Sequence, residues 1–327
     1  MQNKPTLKPL RIGLLLYPGC MPSGLFGVAD LLRAANLRMG QAVMEAVWVG
    51  VDAQAVSNWQ GPSLTPQLTL AQAALDVCVV PGLWLSSPQQ LPGMLLEQGA
   101  TVRALRDLPR QTVVWSYCAG VALVAASGRL DGIEATATWW LRQALQTHFA
   151  RVNWRFDEPL VQAKTSLTAC GPSGYLNIML HTLSKRLGPQ ALSDLQETLL
   201  LPQPRAKHAA FFAVDLLTLH DPVMRRLAAF AQRTPAAELS LVLAAQHLAT
   251  SSRSLSRSVE VCTGMSAGQW LKRVKLHQVA QALESSNLPL KRISANLGFS
   301  SEMGLHRSFK QAVGCTPAQY RVSVSSH

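Results

Sequence analysis

A chain of 327 residues with 30 Lys and Arg against 18 Asp and Glu carries a formal net charge of +12 and has a pI near 9.9, which favours a polyanionic partner, and its length suits two domains. Its six cysteines, Cys20, Cys78, Cys118, Cys170, Cys262 and Cys315, show no metal-ligand spacing and are too sparse for a disulfide scaffold. No apolar run approaches the ~20 residues of a membrane helix, and the run at 12–17 is too short for a signal peptide and is broken by Pro18-Gly19, so reduced thiols in a cytoplasm, no membrane partner and no cofactor are the expectation.

Continuous apolar runs occur at 10–17, 43–51, 75–80 and 112–115, as suits strands buried on both faces. Between and after them lie helical candidates at 24–36, 91–105, 120–126 and 139–149. This alternation predicts an α/β fold, an open and mostly parallel sheet with helices on both sides. Ligands gather at the carboxyl ends of strands in such sheets. The loops there are 18–24, Pro81-Gly82-Leu83 and Tyr117-Cys118-Ala119-Gly120. The last has the form of a nucleophile elbow, an apolar strand running into Cys118 and then small residues that let a helix begin at once. A thiol at a helix N-terminus is expected to have a lowered pKa. Ser23, Gly24, Gly82, Leu83, Tyr117, Cys118, Ala119 and Thr138 are the candidate ligand-binding residues.

Two more helices are expected at 174–187 and 190–201, after which Pro202-Gln203-Pro204-Arg205 punctuates the chain. The expected domains are 1–205 for ligand sensing or dimerisation, a linker at 206–220, and 221–327. Pro222 suits the first turn of a helix running to Arg233.

Beyond that lies an internal repeat. The pattern Ser-x-x-x-Leu-x-Arg-Ser-apolar starts at Ser251 and recurs fifty positions later at Ser301. Each Ser can cap a helix, and Leu255 or Leu305 would point back toward a short preceding helix, 240–248 or 290–297. Gly298-Phe299-Ser300 forms a turn with Gly where a positive φ is needed. With the apolar positions inward, Arg253, Ser256 and Arg257 share one exposed face, and Ser301, Met303, His306, Arg307 and Lys310 belong to the other. Such faces fit a DNA major groove, so double-stranded DNA is the expected partner. The joining helix, 266–285, turns Leu271, Val274, Val279 and Leu283 inward and leaves Lys272, Arg273 and Lys275 elsewhere. Its length of ~30 Å at about 1.5 Å per residue is close to the ~34 Å between successive major grooves on one DNA face. The charge agrees: from Ala237 onward there are ten Lys and Arg against four Asp and Glu.

At these residues the chain resembles the AraC/XylS regulators, ending in their Gly-x-[ST]-Pro-x-x-[YF]-Arg signature as Gly314-Cys315-Thr316-Pro317-Ala318-Gln319-Tyr320-Arg321. Ala249 stands where the family usually has Gly, and Ala244 where it usually has Leu. The first half resembles the PfpI/ThiJ superfamily, a flavodoxin-like fold related to class I glutamine amidotransferases, at Asp76-Val77-Cys78-Val79-Val80-Pro81-Gly82, Ser116-Tyr117-Cys118-Ala119-Gly120 and Gly128-Arg129-Leu130-Asp131-Gly132. Their combination is the GlxA-type layout. It implies a transcription regulator, usually an activator, controlled by a small-molecule effector, with RNA polymerase as a further partner and a homodimer as the default assembly.

The superfamily's catalytic partners are replaced. Ala119 stands where His commonly follows the Cys, Cys170-Gly171-Pro172 where amidotransferases carry His-x-Glu, and Ala137-Thr138-Trp139 where such regulators often read Thr-His-Trp; the frequent acidic residue is missing from 17–24. A thiolate nucleophile needs a base or orienting partner, so no catalytic residue is expected. His148 and His181 are the imidazoles that tertiary structure could still bring to the thiol, though a lone His on an apolar helix is more often structural. The alternatives are a cysteine-dependent hydrolase or glyoxalase-like enzyme, and a redox sensor using Cys118 and Cys20.

Overall fold

A computed structural model describes residues 9–57, 63–156, 158–199, 201, 214, 222–263, 265–313 and 315–325. The chain divides into two compact units, Met1–Gln203 and Pro204–His327. The expected linker at 206–220 lies, apart from Val214, outside the described residues.

The first unit runs β1 (Leu10–Leu16), α1 (Pro22–Met39), β2 (Met44–Gly50), β3 (Leu68–Thr69), β4 (Val77–Val80), α2 (Leu91–Glu97), α3 (Gly99–Asp107), β5 (Val113–Tyr117), α4 (Gly120–Ala126), β6 (Glu134–Ala135), α5 (Arg142–His148), β7 (Asn153–Trp154), β8 (Leu160–Gln162), β9 (Ser166–Ala169), α6 (Gly174–Arg186) and α7 (Pro189–Thr198). Seven strands form one sheet in the order β3-β2-β1-β4-β5-β9-β8, parallel except where β8 meets β9. The central strands are apolar because helices cover both their faces: every residue of β4 is buried, and Ile12, Leu14 and Val114 have no exposed surface. Register pairs Ile12 with Val77, Val79 with Trp115 and Ser116 with Thr168. Strand order reverses between β1 and β4, which opens a crevice beyond their carboxyl ends. The end of β5, where Cys118 follows, lies beside it.

Two expected helices differ from the sequence pattern. The segment 91–105 breaks at Gln98, whose side chain leaves the helix line to donate to the Pro18 carbonyl at 2.8 Å and accept from Thr101 at 2.9 Å. The segment 139–149 begins as a 3₁₀ turn, Trp139–Leu141, before α5.

The second unit comprises α8 (Pro222–Arg233), α9 (Leu241–His247), α10 (Ser252–Thr263), α11 (Ala267–Ser285), α12 (Leu290–Asn296), α13 (Glu302–Val313) and α14 (Pro317–Ser325). Helix α11 is its axis. Ser266 and Gln269 form a reciprocal capping box at its start, and Trp270, Leu271, Val274, Leu276, Val279 and Leu283 are buried along it. Its second half forms one core with Ile293, Leu305, Phe309, Val313 and Tyr320, where Tyr320 meets Phe309 edge-on at 5.4 Å and donates its hydroxyl to Glu284 at 2.5 Å. Lys275 corrects the expectation for the basic face. It is 3% exposed and donates to the Gln232 carbonyl at 3.0 Å and to Gln278 at 2.9 Å. Its ammonium binds a carbonyl in the last turn of α8, the negative end of that helix, and so joins α8 to α11.

Candidate functional site

Helices α10 and α13 are built alike. Leu255, Val259 and Thr263 face inward on one, and Leu305, Phe309 and Val313 at the same offsets on the other. Each is preceded by a serine whose hydroxyl accepts a first-turn N–H, Ser251 from Ser254 at 3.1 Å and Ser301 from Gly304 at 3.0 Å. Each preceding turn carries one left-handed residue, Ala249 at φ 53° and Gly298 at φ 70°. In consequence Arg253 and Arg257 are exposed with Ser256 half-buried between them, and Met303, Arg307 and Lys310 are exposed with His306 half-buried. Seven of the eight predicted residues thus point from two matched faces, while Ser301 is used as a cap.

Helix phase alone did not single out some further exposed charged residues. Glu260 stands at the place of Lys310, which the fifty-residue offset could have shown, and Lys291 and Arg292 are exposed in the first turn of α12. The two faces therefore differ in charge, and only the second carries a lysine at this place.

In the first unit the elbow forms as its sequence pattern requires. Cys118 is held at φ 57°, a left-handed conformation that costs a non-glycine residue energy and is retained only where the surroundings impose it. Its N–H donates to the Ala169 carbonyl at 3.1 Å. Gly120 must be glycine because a Cβ there would lie 2.0 Å from the Pro81 oxygen, and a Cβ on Gly82 would lie 2.8 Å from Cys118 Cβ. Tyr17 donates to Pro81 at 2.5 Å, Met21 N–H to Gly82 at 2.8 Å, and Cys20 pairs with Leu83. The three loops are thereby drawn together. Gly24, in the first turn of α1, lies against Tyr117: a Cβ at that position would sit 2.2 Å from the hydroxyl oxygen. That hydroxyl is fully buried and has no hydrogen-bond partner among the described residues. Thr138 precedes the 3₁₀ turn that begins at Trp139. Tyr117, Ala119, Leu83 and Thr138 are buried, whereas Ser23 is exposed.

The expected acidity of Cys118 is reversed. Burial pushes the thiol up to about 11, and the opposing N–H of Ala119 is the smaller effect. Cys170 and Cys78 are each pushed up to about 12, also by burial. The two imidazoles are engaged elsewhere: His148 bonds the Ala144 carbonyl at 2.9 Å and His181 bonds Gln162 at 2.8 Å. Among the described residues, no three or more His, Cys, Asp or Glu side chains are grouped to hold a metal ion, and no helix is long and apolar enough to cross a membrane.

Residues 244–323 match a family model described as a helix-turn-helix domain. Over 330 residues, covering 97% of this chain and 94% of that protein, the sequence is 24% identical to the HTH-type transcriptional regulator ArgR of Pseudomonas aeruginosa. It is 33% identical over 85 residues to the multiple antibiotic resistance protein MarA of Escherichia coli K12, covering 26% of this chain and 67% of that one. A ThiJ/PfpI family protein from Pseudomonas syringae matches with a TM-score of 0.50 at 19% identity, covering 66% of this chain and 89% of that chain, which is a likeness of fold. The tandem repeat, the matched domain and the end-to-end likeness to a transcriptional regulator converge, and this chain belongs to the AraC/XylS family of helix-turn-helix transcription regulators, with a PfpI/ThiJ-like fold preceding its DNA-binding region.

Proposed function

We propose that the chain is a sequence-specific transcription activator whose helices α10 and α13 enter successive major grooves, and whose first unit binds a small effector without catalysing its conversion. The carrying observation is the shared burial phase of α10 and α13, which sets Arg257 and Arg307 at equivalent exposed places fifty residues apart. Arginine in that position can donate two parallel hydrogen bonds to guanine O6 and N7. Arg253, Ser256, Met303, His306 and Lys310 complete the two reading faces, and Ser301 fixes the start of α13. Arg257→Ala and Arg307→Ala should each cost ~1–3 kcal/mol on the preferred site and much less on random duplex. Fluorescence anisotropy on both duplexes checks this, and equal losses on the two would reduce these residues to phosphate contacts.

The effector site in this reading is the elbow, lined by Gly24, Gly82, Leu83, Tyr117, Cys118, Ala119 and Thr138, with Ser23 at the start of α1. Its support is the Tyr117 hydroxyl, buried without a partner beside the first turn of α1; a polar or anionic ligand group would satisfy both it and the helix N-terminus. A thiol pushed up to about 11 stays protonated at neutral pH and is a poor nucleophile. Alkylation of Cys118, followed by peptide mass mapping, should therefore accelerate roughly tenfold per pH unit through the mildly alkaline range without levelling off. A plateau near neutrality would return covalent or redox chemistry to the elbow. Cys118→Ser should keep effector-dependent transcription and Cys118→Trp should abolish it by filling the site. A homodimer, contact with RNA polymerase and a cytoplasmic location complete the proposal.

A further inference from the structure

We infer that Met303 reads the 5-methyl group of a thymine, so that the second helix-turn-helix unit recognises DNA partly through an apolar contact. The inference rests on α13 being a reading helix, as proposed above. Met303 is 71% exposed, more than any other large hydrophobic side chain described in the second unit, including Val322 at 66% and Val242 at 59%. It has no part in the core that Leu305, Phe309 and Val313 make from the opposite side of the same helix. His306 and Arg307 follow it by three and four positions, which places all three on one face. It also lies in the first turn of α13, and the N-terminal residues of a recognition helix are those that contact base edges.

A long, flexible apolar side chain on the face of a basic helix gains nothing from phosphates. The other groups by which the base edges are told apart in the major groove are hydrogen-bond donors and acceptors, and the apolar group that a side chain can grip is the thymine methyl. Methionine suits that contact because its unbranched thioether adapts to an irregular apolar surface. The first helix-turn-helix unit has Arg253 at the equivalent place, a donor that would read acceptors. The two units would then recognise chemically different half-sites: the first through donors from Arg253 and Arg257, the second through a methyl contact beside Arg307. That asymmetry would fix which unit occupies which half of the operator, and hence the direction in which the chain lies on the DNA.

The test uses the full-length protein. Duplexes that it enriches from a randomised library are remade with each thymine in turn replaced by deoxyuridine, which removes only the methyl. At one thymine next to the base whose preference is relaxed by Arg307→Ala, wild type should lose about fourfold in affinity, the equivalent of burying one methyl. Met303→Ala should lose the same about fourfold on the thymine duplex and bind the thymine and deoxyuridine forms alike. Met303→Leu should keep most of the discrimination. Deoxyuridine without effect at every position, or with the same effect in wild type and Met303→Ala, would overturn the inference while leaving DNA reading by Arg307 intact. Loss of RNA polymerase recruitment in Met303→Ala with unchanged DNA binding would overturn it too, by assigning the side chain to a protein partner. If no sequence is enriched, the proposed DNA-reading function itself fails, and the methyl contact with it.

Discussion

In the second helix-turn-helix unit the turn residue is Gly298, at φ 70°, and a Cβ added there would stand 2.5 Å from the Pro235 Cβ and 2.9 Å from its Cα; in the first helix-turn-helix unit the left-handed place is filled by Ala249 at φ 53°. The bonds around them differ in the same sense. Ala236 and Ala237 donate to the carbonyls of Leu297 and Gly298 at 2.9 and 2.8 Å, so the segment after α8 straps the second turn from sixty residues away in sequence. At the first turn the backbone bonds are local, Ala249 to Gln246 and Thr250 to Ala245. Glycine is therefore demanded twice at the second turn, by φ and by space, and only by φ at the first. An L-residue in this conformation costs roughly 1–2 kcal/mol, a strain that the first turn carries and the second avoids.

The largest effect that could break this comparison is Gly298→Ala. Conformational strain and the clash with Pro235 together should destabilise the second unit by roughly 2–5 kcal/mol, read as an earlier urea midpoint for its transition and a loss of DNA binding. A change under ~1 kcal/mol would mean that the strap yields to a methyl group. Next come the caps. Ser251→Ala and Ser301→Ala should each cost ~1 kcal/mol, and their near-equality, measured by the same denaturation, would confirm that the units share a plan beyond their turns. The smallest effect is a gain: Ala249→Gly should stabilise the first helix-turn-helix unit by roughly 0.5–1 kcal/mol, the relief of φ strain being partly offset by glycine's greater freedom in the unfolded chain. A loss of stability there would show that the Ala249 methyl makes contacts worth more than its strain.

The sheet, the elbow and the matched helices α10 and α13 were legible because each is periodic or local. Unbroken apolar runs mark strands covered on both faces, and the Leu255 and Leu305 repeats mark the buried stripes of α10 and α13. Strands β3, β6, β7 and β8, of two or three residues, were not legible because so few residues display no period. Gln98 interrupts a helical pattern because it bonds Pro18, eighty positions distant, and no local propensity records such a partner. The apolar phase of α11 placed Leu271 and Val274 inward as expected but could not show that α8 would cover Lys275 as well.

By itself the sequence determined the alternation of elements in the first unit, the duplicated helix pairs with their caps and exposed arginines, and the strained geometry at Cys118, since each depends on side-chain size, spacing or backbone freedom over a few residues. Tertiary structure alone decided how those groups are charged and constrained. The helix start beside Cys118 predicted a more acidic thiol, yet enclosure by the loops after β1, β4 and β9 removes water and pushes it up to about 11. In the same way the strap at Gly298 and the carbonyl at Gln232 bound by Lys275 come from segments distant in sequence. Desolvation and steric exclusion depend on every atom surrounding a group, and that surrounding exists only once the chain has folded.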